Sequence, residues 1–536
     1  MAAPSYTEDL TDIDLAESTT GWSAIGSGGM VASSTFSMQG TNSIERGVSG
    51  ANQRGALYQD GSAFDLTGGN HIYVWGFAAS PGAFDTIANG GAKVIIGDST
   101  TAYVEFHVEG NDTYGAGGRV GRCYPIDFVN TSNGSSPYRT LVGSPGTSPD
   151  SAGMRFDSIA TAKFSVDAIR VGTGAYLTAG EVGDPATFDG FSTENDLVAN
   201  RWGILTSFNG AYELQGKFAI GQNNSQVATL CYFDDSAVDI IIPDTIHAAS
   251  DFSEIIIDHA SSTCTWDTIN IKALGTTNRG TITVTSNNPT FTVTGGVYTS
   301  IGTTTLRSNS TLTGVTWRDS DSITLNGATL TNCVIDENRA SSAVFCDDLE
   351  DINTCEFASD GTGHAVELSS VGGGSMDWDS TLTGYAGTDG STGNEAIYVN
   401  VGSGSLTINV QAGATTPSIR TAGATVTVSV APVTIKVTVT DDAGTPIENA
   451  RVEIKATETA GTITDGDVLL TGLTDSSGII QDTSFTYESA FDPSGLDIRI
   501  KARQGSVSPY KVPSTTTGTV VDVTGFSSVI ALQPDE

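Results

Sequence analysis

Four short segments decide how this chain is read: Thr292-Val-Thr-Gly-Gly-Val-Tyr298, Thr311-Leu-Thr-Gly-Val-Thr-Trp317, Thr329-Leu-Thr-Asn-Cys-Val-Ile335 and Asp351-Ile-Asn-Thr-Cys-Glu-Phe357. Aligned, they place Val293, Leu312, Leu330 and Ile352 at one position. Gly296, Val315, Cys333 and Cys355 share a second, and Tyr298, Trp317, Ile335 and Phe357 a third. Successive copies are 19, 18 and 22 residues apart. A period near 20 with a single apolar ladder per copy is the pattern of a solenoid whose coils stack strand on strand, ~4.8 Å apart. A leucine-rich repeat requires more Leu and a fixed Asn, and neither is present. The pattern predicts a right-handed parallel β-helix.

Working outward, Ala365-Val-Glu-Leu368 aligns with Ala396-Ile-Tyr-Val399, and Val371-Gly-Gly-Gly-Ser-Met-Asp-Trp378 with Val401-Gly-Ser-Gly-Ser-Leu-Thr-Ile408. Upstream, Thr265-Trp-Asp-Thr-Ile-Asn-Ile271 and Gly280-Thr-Ile-Thr-Val284 have the same character, so the β-helix is expected over residues 216–432. Before it, Ile72-Tyr-Val-Trp-Gly-Phe77, Tyr103-Val-Glu-Phe-His-Val108, Lys163-Phe-Ser-Val166 and Trp202-Gly-Ile-Leu205 alternate as half-buried strands between Gly/Asn/Asp turns. Residues 1–215 are read as a jelly-roll sandwich, and their aromatic strands resemble a concanavalin/laminin-G-like lectin.

After Pro432, Val433-Thr-Ile-Lys-Val-Thr-Val-Thr440 alternates cleanly. Asp441-Asp-Ala-Gly-Thr-Pro446 turns the chain, and Ala450-Arg-Val-Glu-Ile454 is expected to return as its partner strand. About seven short strands in residues 433–536 predict an Ig-like sandwich without a disulfide. The run Val437–Val452, followed by Leu473-Thr-Asp-Ser-Ser-Gly478, resembles the Ig-like and carboxypeptidase-regulatory-like modules of bacterial and phage surface proteins. The whole order resembles structural proteins of tailed bacteriophages. That resemblance implies a fibre, spike or decoration protein in the virion, with other virion proteins and a host-surface glycan as partners. It also implies a homo-oligomer, a trimer by preference. The alternatives are a tailspike-type polysaccharide depolymerase and a bacterial surface adhesin.

Composition agrees with an elongated all-β chain. Of 536 residues, 63 are Gly and only 16% are charged, a mixture rich in Ser and Thr that suits short strands and tight turns. The net charge of −37, from 24 basic and 61 acidic residues, opposes binding to phosphate backbones or anionic lipid. Neither nucleic-acid binding nor membrane insertion is expected. The opening Met1-Ala-Ala-Pro-Ser-Tyr-Thr-Glu-Asp-Leu10 has no signal-peptide pattern, which a virion protein released by lysis accommodates. Cys123, Cys231, Cys264, Cys333, Cys346 and Cys355 contain no CxxC pair. They are expected to be reduced and buried, with Cys333–Cys355 the one conceivable bridge.

Candidate chemistry is sparse, and no enzyme activity and no cofactor are expected. Asp319 and Glu337 each follow the ladder aromatic or aliphatic by two residues and share a rung, as paired carboxylates for glycoside hydrolysis would. Asp321 and Asp336 lie beside them, with Arg318 or Arg339 shaping the site. The competing reading is that all are turn residues at a strand end. Asp347, Asp348, Glu350 and Asp351 concentrate hard oxygen ligands suited to calcium, but without the spacing of an EF-hand; a solvated loop is the rival. Gly110-Asn-Asp-Thr-Tyr-Gly-Ala-Gly-Gly118 is a Gly-rich loop able to bind sugar or calcium, or simply a mobile loop. Trp266, Trp317 and Trp378 are read as core aromatics, with stacking on sugar as the alternative. None of His71, His107, His247, His259 and His364 lies in a nucleophile motif, and no Gly-x-Ser-x-Gly elbow occurs.

Overall fold

A computed structural model of the chain describes residues 6–533 except 36, 38–39, 49–51, 68–69, 79–91, 108–121, 127, 129–138, 159–160, 178–179, 183–203, 209–210, 215, 221–228, 235–238, 243–253, 258–261, 274–279, 288–289, 360, 386, 388–392, 412, 431, 489–490, 492–494, 505–510 and 522–524. The protein is nearly all-β, with both antiparallel and parallel sheets. It divides into two compact units, Met1–Phe345 and Cys346–Glu536. Among the described residues no helix is long and apolar enough to cross a membrane.

The first unit opens with two antiparallel layers. One is ordered Arg139–Val142, Ala102–His107, Ala92–Ser99, Ser151–Ser158, Asn52–Gln59, Trp22–Ile25. The other is built on the long strand Ala162–Leu177, which pairs antiparallel with Tyr6–Asp14, Ser43–Val48 and His71–Ala78. Alternation sends Val94 and Ile96, Val104 and Phe106, Ile72 and Val74, and Phe164 and Val166 into one core between the layers. The last residues of Ala162–Leu177 change partner: Ala175 pairs parallel with Phe218. The antiparallel layer therefore runs directly into a parallel sheet.

From there the chain visits three parallel sheets in rotation. One carries Lys217–Ile220, Glu254–Ile257, Thr281–Val284, Thr304–Thr305 and Ile323–Thr324. A second carries Thr229–Asp234, Ser262–Asp267, Thr290–Thr294, Ser310–Thr313 and Thr329–Thr331. The third carries Asp239–Ile242, Asn270–Ala273, Val297–Thr299, Thr316–Arg318 and Val334–Asp336. The sequence ladder is physical: Val293 pairs with Leu312 and Leu312 with Leu330, while Tyr298 pairs with Trp317 and Trp317 with Ile335. All six are at most 1% exposed.

Between the second and third sheets the chain turns through left-handed residues, Thr268, Gly295, Gly314 and Asn332 (φ 59°, 65°, 67° and 52°). The N–H groups of the first three bond the next coil: Thr268 N to Thr294 O at 2.7 Å, Gly295 N to Thr313 O at 2.8 Å and Gly314 N to Thr331 O at 2.9 Å. Gly296 precedes the following strand at a close approach to the previous coil, since a Cβ there would lie 2.3 Å from Ile269 O. Val315 and Cys333 fill the same position in later coils, both fully buried.

In the second unit, His364–Leu368, Ile397–Val399 and Ile419–Thr421 pair in parallel, as do Ser375–Trp378, Ser405–Val410 and Thr425–Val430. Val366 lies opposite Ile397 and Leu368 opposite Val399, the alignment expected from sequence. The neighbouring alignment is corrected by two residues, because Trp378 pairs with Val410 rather than with Ile408. A two-residue slip keeps the same side chains facing inward, so the apolar pattern cannot choose between registers. The turn does: Gly374 (φ 89°) closes on Val371, and its carbonyl accepts from Thr407 N at 2.9 Å.

Beyond these coils, Pro432–Asp441 pairs antiparallel with Ile479–Thr486 and parallel with Phe526–Leu532. A separate antiparallel sheet is ordered Val468–Leu473, Arg451–Ala456, Leu496–Gln504, Lys511–Val520. Arg451–Ala456 is thus not the partner strand of Pro432–Asp441, contrary to expectation. The link between them is too long for a tight hairpin, and Ile447 N bonds Val439 O at 2.9 Å on the way. Val437 and Val439 then meet Val452 and Ile454 in a shared core instead of along an edge.

Cys264, Cys333, Cys346 and Cys355 are buried thiols in no disulfide, so the conceivable Cys333–Cys355 bridge is absent. Cys333 Sγ donates instead to Leu312 O and Thr331 O, each at 3.5 Å. Trp266, Trp317 and Trp378 are at most 1% exposed, which excludes them as sugar-stacking platforms. If the ladder carries the parallel coils, Leu312→Ala costs about 2–5 kcal/mol, while Val297→Ala, on the outer face, changes stability by less than about 0.5 kcal/mol. Urea midpoints of the two variants test this, and equal shifts would refute it.

Candidate functional site

The corner after the third-sheet strands gathers the polar residues singled out in the sequence. Arg318 pairs with Asp336 across the ladder, so Asp319 and Glu337 sit one coil apart at the same corner. Both are left-handed, Asp319 at φ 50° and Glu337 at φ 51°, as is Ser300 at φ 55° one coil earlier. This corner geometry explains the placement of short polar residues there.

Asp319 Oδ2 accepts from Ser300 Oγ at 2.8 Å. Its two oxygens are also held by Arg339, whose Nε and Nη2 grip the carboxylate in a fork. Arg318 Nε lies 3.9 Å from Asp336 Oδ2 at the solvent edge. Asn338 Nδ2 donates to Asp321 O at 3.0 Å, and Arg339 N to Ser320 O at 3.0 Å. The side chains bind one coil to the next.

The acidic cluster forms a single 3-10 turn, Leu349–Asp351. Asp348 caps it, Oδ1 accepting from Glu350 N at 3.0 Å, and Leu349 is buried. Among the described residues no group of three or more His, Cys, Asp or Glu side chains is arranged to hold a metal ion. Partial burial, followed by the charges of Asp348, Asp347 and Glu350, pushes the Asp351 carboxyl up from 3.8 to about 6. The loop 110–118 lies outside the described residues.

Two constellations escaped the sequence reading. The first is a buried tetrad on the outer face of the six-stranded layer. Lys93 Nζ lies 2.9 Å from Asp157 Oδ2 and 3.3 Å from Glu105 Oε2. Arg155 Nη1 pairs with Glu105 and bonds Tyr103 OH at 3.3 Å, and its Nε lies 3.5 Å from Asp157 Oδ1. The backbone register sets Arg155 directly opposite Lys93, a repulsive arrangement that the two carboxylates offset. Burial lowers the affinity of Arg155 for its proton, but Glu105 and Asp157 more than compensate and the net shift is upward. The signal was a set of charges, Lys93, Glu105, Arg155 and Asp157, on the face opposite the apolar residues of three adjacent strands.

The second lies in the second unit, where Glu367, Tyr398 and Arg420 share one outward position on successive strands. The Arg420 guanidinium lies 4.5 Å over the Tyr398 ring. Tyr398 OH donates to Asn400 Oδ1 at 3.1 Å, and Asn400 Nδ2 to Glu367 Oε1 at 2.8 Å. His364 Nδ1 lies 2.6 Å from Glu395 O, a contact that requires the proton on Nδ1. Its Nε2 then accepts from Arg420 Nη1 at 3.4 Å.

No family model matches the chain, and no curated protein matches it. Among solved structures, the CBM22-1–GH10 modules of endo-1,4-beta-D-xylanase 10B from Clostridium thermocellum are 14% identical at TM-score 0.15, over 40% of this chain and 37% of that one. The Agl-KA catalytic domain is 9% identical at TM-score 0.20, covering 82% of this chain and 88% of that chain. The catalytic domain of a GH87 alpha-1,3-glucanase in complex with tetrasaccharides is 7% identical at TM-score 0.16, covering 80% and 98%. Scores this low carry no argument about fold or activity.

Two outcomes follow from these charges. Glu105→Gln leaves two buried cations sharing one carboxylate and costs about 3–5 kcal/mol, read from urea unfolding; a neutral result would show that the tetrad is not desolvated. Asp351 binds its proton more tightly folded than unfolded, so its contribution to stability is complete below pH 3.8 and is lost as pH rises through about 6. The wild type should therefore lose stability relative to Asp351→Asn across that window. Parallel pH profiles of the two proteins would contradict the assignment.

Proposed function

We propose that the chain is a non-enzymatic structural component of a tailed-phage virion, a head or tail fibre, spike or decoration protein serving particle assembly or host-surface attachment. In this reading residues 1–215 form a jelly-roll or lectin-like sandwich, 216–432 a right-handed parallel β-helix and 433–536 an Ig-like sandwich. The observation that carries it is the in-register ladder Val293–Leu312–Leu330 beside Tyr298–Trp317–Ile335. A stack of this kind is a scaffold, since every coil is fixed by the next through backbone bonds and a shared apolar interior.

The polar groups at its corners support the same role. Arg339 holds Asp319, and Ser300 donates to it, so the best-placed carboxylate links coils. The virion assignment itself rests on the C-terminal motif Val437–Val452 with Leu473–Gly478 and on the order of the three regions. Other virion proteins, a host-surface glycan and further copies of the chain are the partners this role implies.

Immunogold labelling of purified particles of the encoding phage, with mass spectrometry of their proteins, should find the chain in the virion. Its absence from particles would end the proposal. New reducing ends released from host polysaccharide, and lost in Asp319→Asn or Glu337→Gln, would replace it with the depolymerase reading.

A further inference from the structure

In a chain of net charge −37, one sheet face runs against the whole. Alternation along Arg451–Ala456 and Leu496–Gln504 turns Val452, Ile454, Ile498 and Ile500 inward. It turns Arg451, Lys455, Arg499, Lys501 and Arg503 outward. The register sets Arg451 directly opposite Arg503 and Lys455 directly opposite Arg499. Like charges opposed across strands destabilise a sheet. Lys455 is relieved by Glu453 at 3.6 Å. Arg451, Arg499, Lys501 and Arg503 make no ion pair among the described residues. The same face carries two carboxylates, Glu453 directly opposite Lys501 and the outward Asp497, so its cations outnumber its anions five to two.

The centre of this face is a groove of about 280 Å³, lined by Arg451, Lys501 and Arg503, the hydroxyl-bearing Thr515 and the carboxylate of Glu453. Leu473, paired with Arg451 on the outer strand, is 57% exposed. We propose that this groove binds an acidic polysaccharide, a polymer of uronate-type sugars.

The chemistry favours that ligand over a plain polyanion. A uronate ring offers one carboxylate for the guanidinium fork and several hydroxyls needing donors and acceptors. Thr515, directly opposite Lys501 on the outward face, supplies both, and Glu453, which would repel a simple anion, accepts from a sugar hydroxyl. Leu473 offers an apolar edge to the C–H face of a ring. Arg499, Lys501 and Arg503 recur at alternate residues, ~6.8 Å apart, a wide spacing suited to a polymer with one charge per ring. A nucleic acid, with one charge per ~1.7 Å, is repelled by the surrounding negative charge more strongly than a polymer with one charge per ring. The inference deepens the attachment reading by naming a glycan class and a face.

The test uses the full chain in native gels cast with polygalacturonate or with neutral dextran. Polygalacturonate should retard the wild type relative to a polymer-free gel, and dextran should not. The triple variant Arg451→Ser, Lys501→Ser, Arg503→Ser should lose at least about tenfold in affinity with unchanged thermal unfolding. If the triple variant fails to fold, Arg503→Ser alone should lose at least about threefold. No retardation of the wild type, or equal retardation of the variants, overturns the proposal. So does sedimentation showing that the wild type self-associates through this face and the variant does not, because an acidic surface of a second copy would then occupy it. Uronate binding by a chain absent from virions would leave the groove standing and sink only the virion assignment.

Discussion

The structure depends on one constraint: each coil of the parallel sheets must satisfy its backbone on the coils above and below it, residue on residue. A parallel pair leaves no freedom to slide by one position, since that would turn every inward side chain outward. The ladder of Val293, Leu312 and Leu330 is the consequence, and so is the row of left-handed corners from Thr268 to Asn332. Because even the corner N–H groups bond the next coil, the corners are part of the ladder and not loops hung upon it.

That constraint also governs what the polar residues do. At the corner of Ser300, Asp319 and Glu337, side chains stack in register, and Arg339 bonds back across the coil to Asp319. In the second unit, Glu367, Tyr398 and Arg420 form a comparable outward row, tied by Asn400 and His364. The buried tetrad of the six-stranded layer solves a related problem in antiparallel form, where cations forced opposite one another need carboxylates beside them. The cationic face of Arg451–Ala456 and Leu496–Gln504 is relieved only in part, by Glu453 beside Lys455.

Much of this was legible in the residues. Apolar alternation and the near-20 period located the strands, and the pairing of Tyr298, Trp317 and Ile335 follows the aligned segments. Legibility failed where alternatives preserve the same pattern. The two-residue register change at Trp378 is silent in a period of two. The passage of Arg451–Ala456 to a separate sheet is equally silent, because a strand's own alternation does not say which neighbour it joins.

The sequence by itself determined which residues face inward, since burial of apolar side chains at a fixed period is a local property of strand geometry. It determined the net charge, the absence of a CxxC pair and the positions of the corner carboxylates. Only tertiary structure decided which charges meet. Lys93 and Asp157 are 64 residues apart, and Arg339 reaches back 20 residues to Asp319. Arg451 and Arg503 become neighbours solely through the register of two strands. Electrostatics acts through space, and distance along the chain carries almost none of that information.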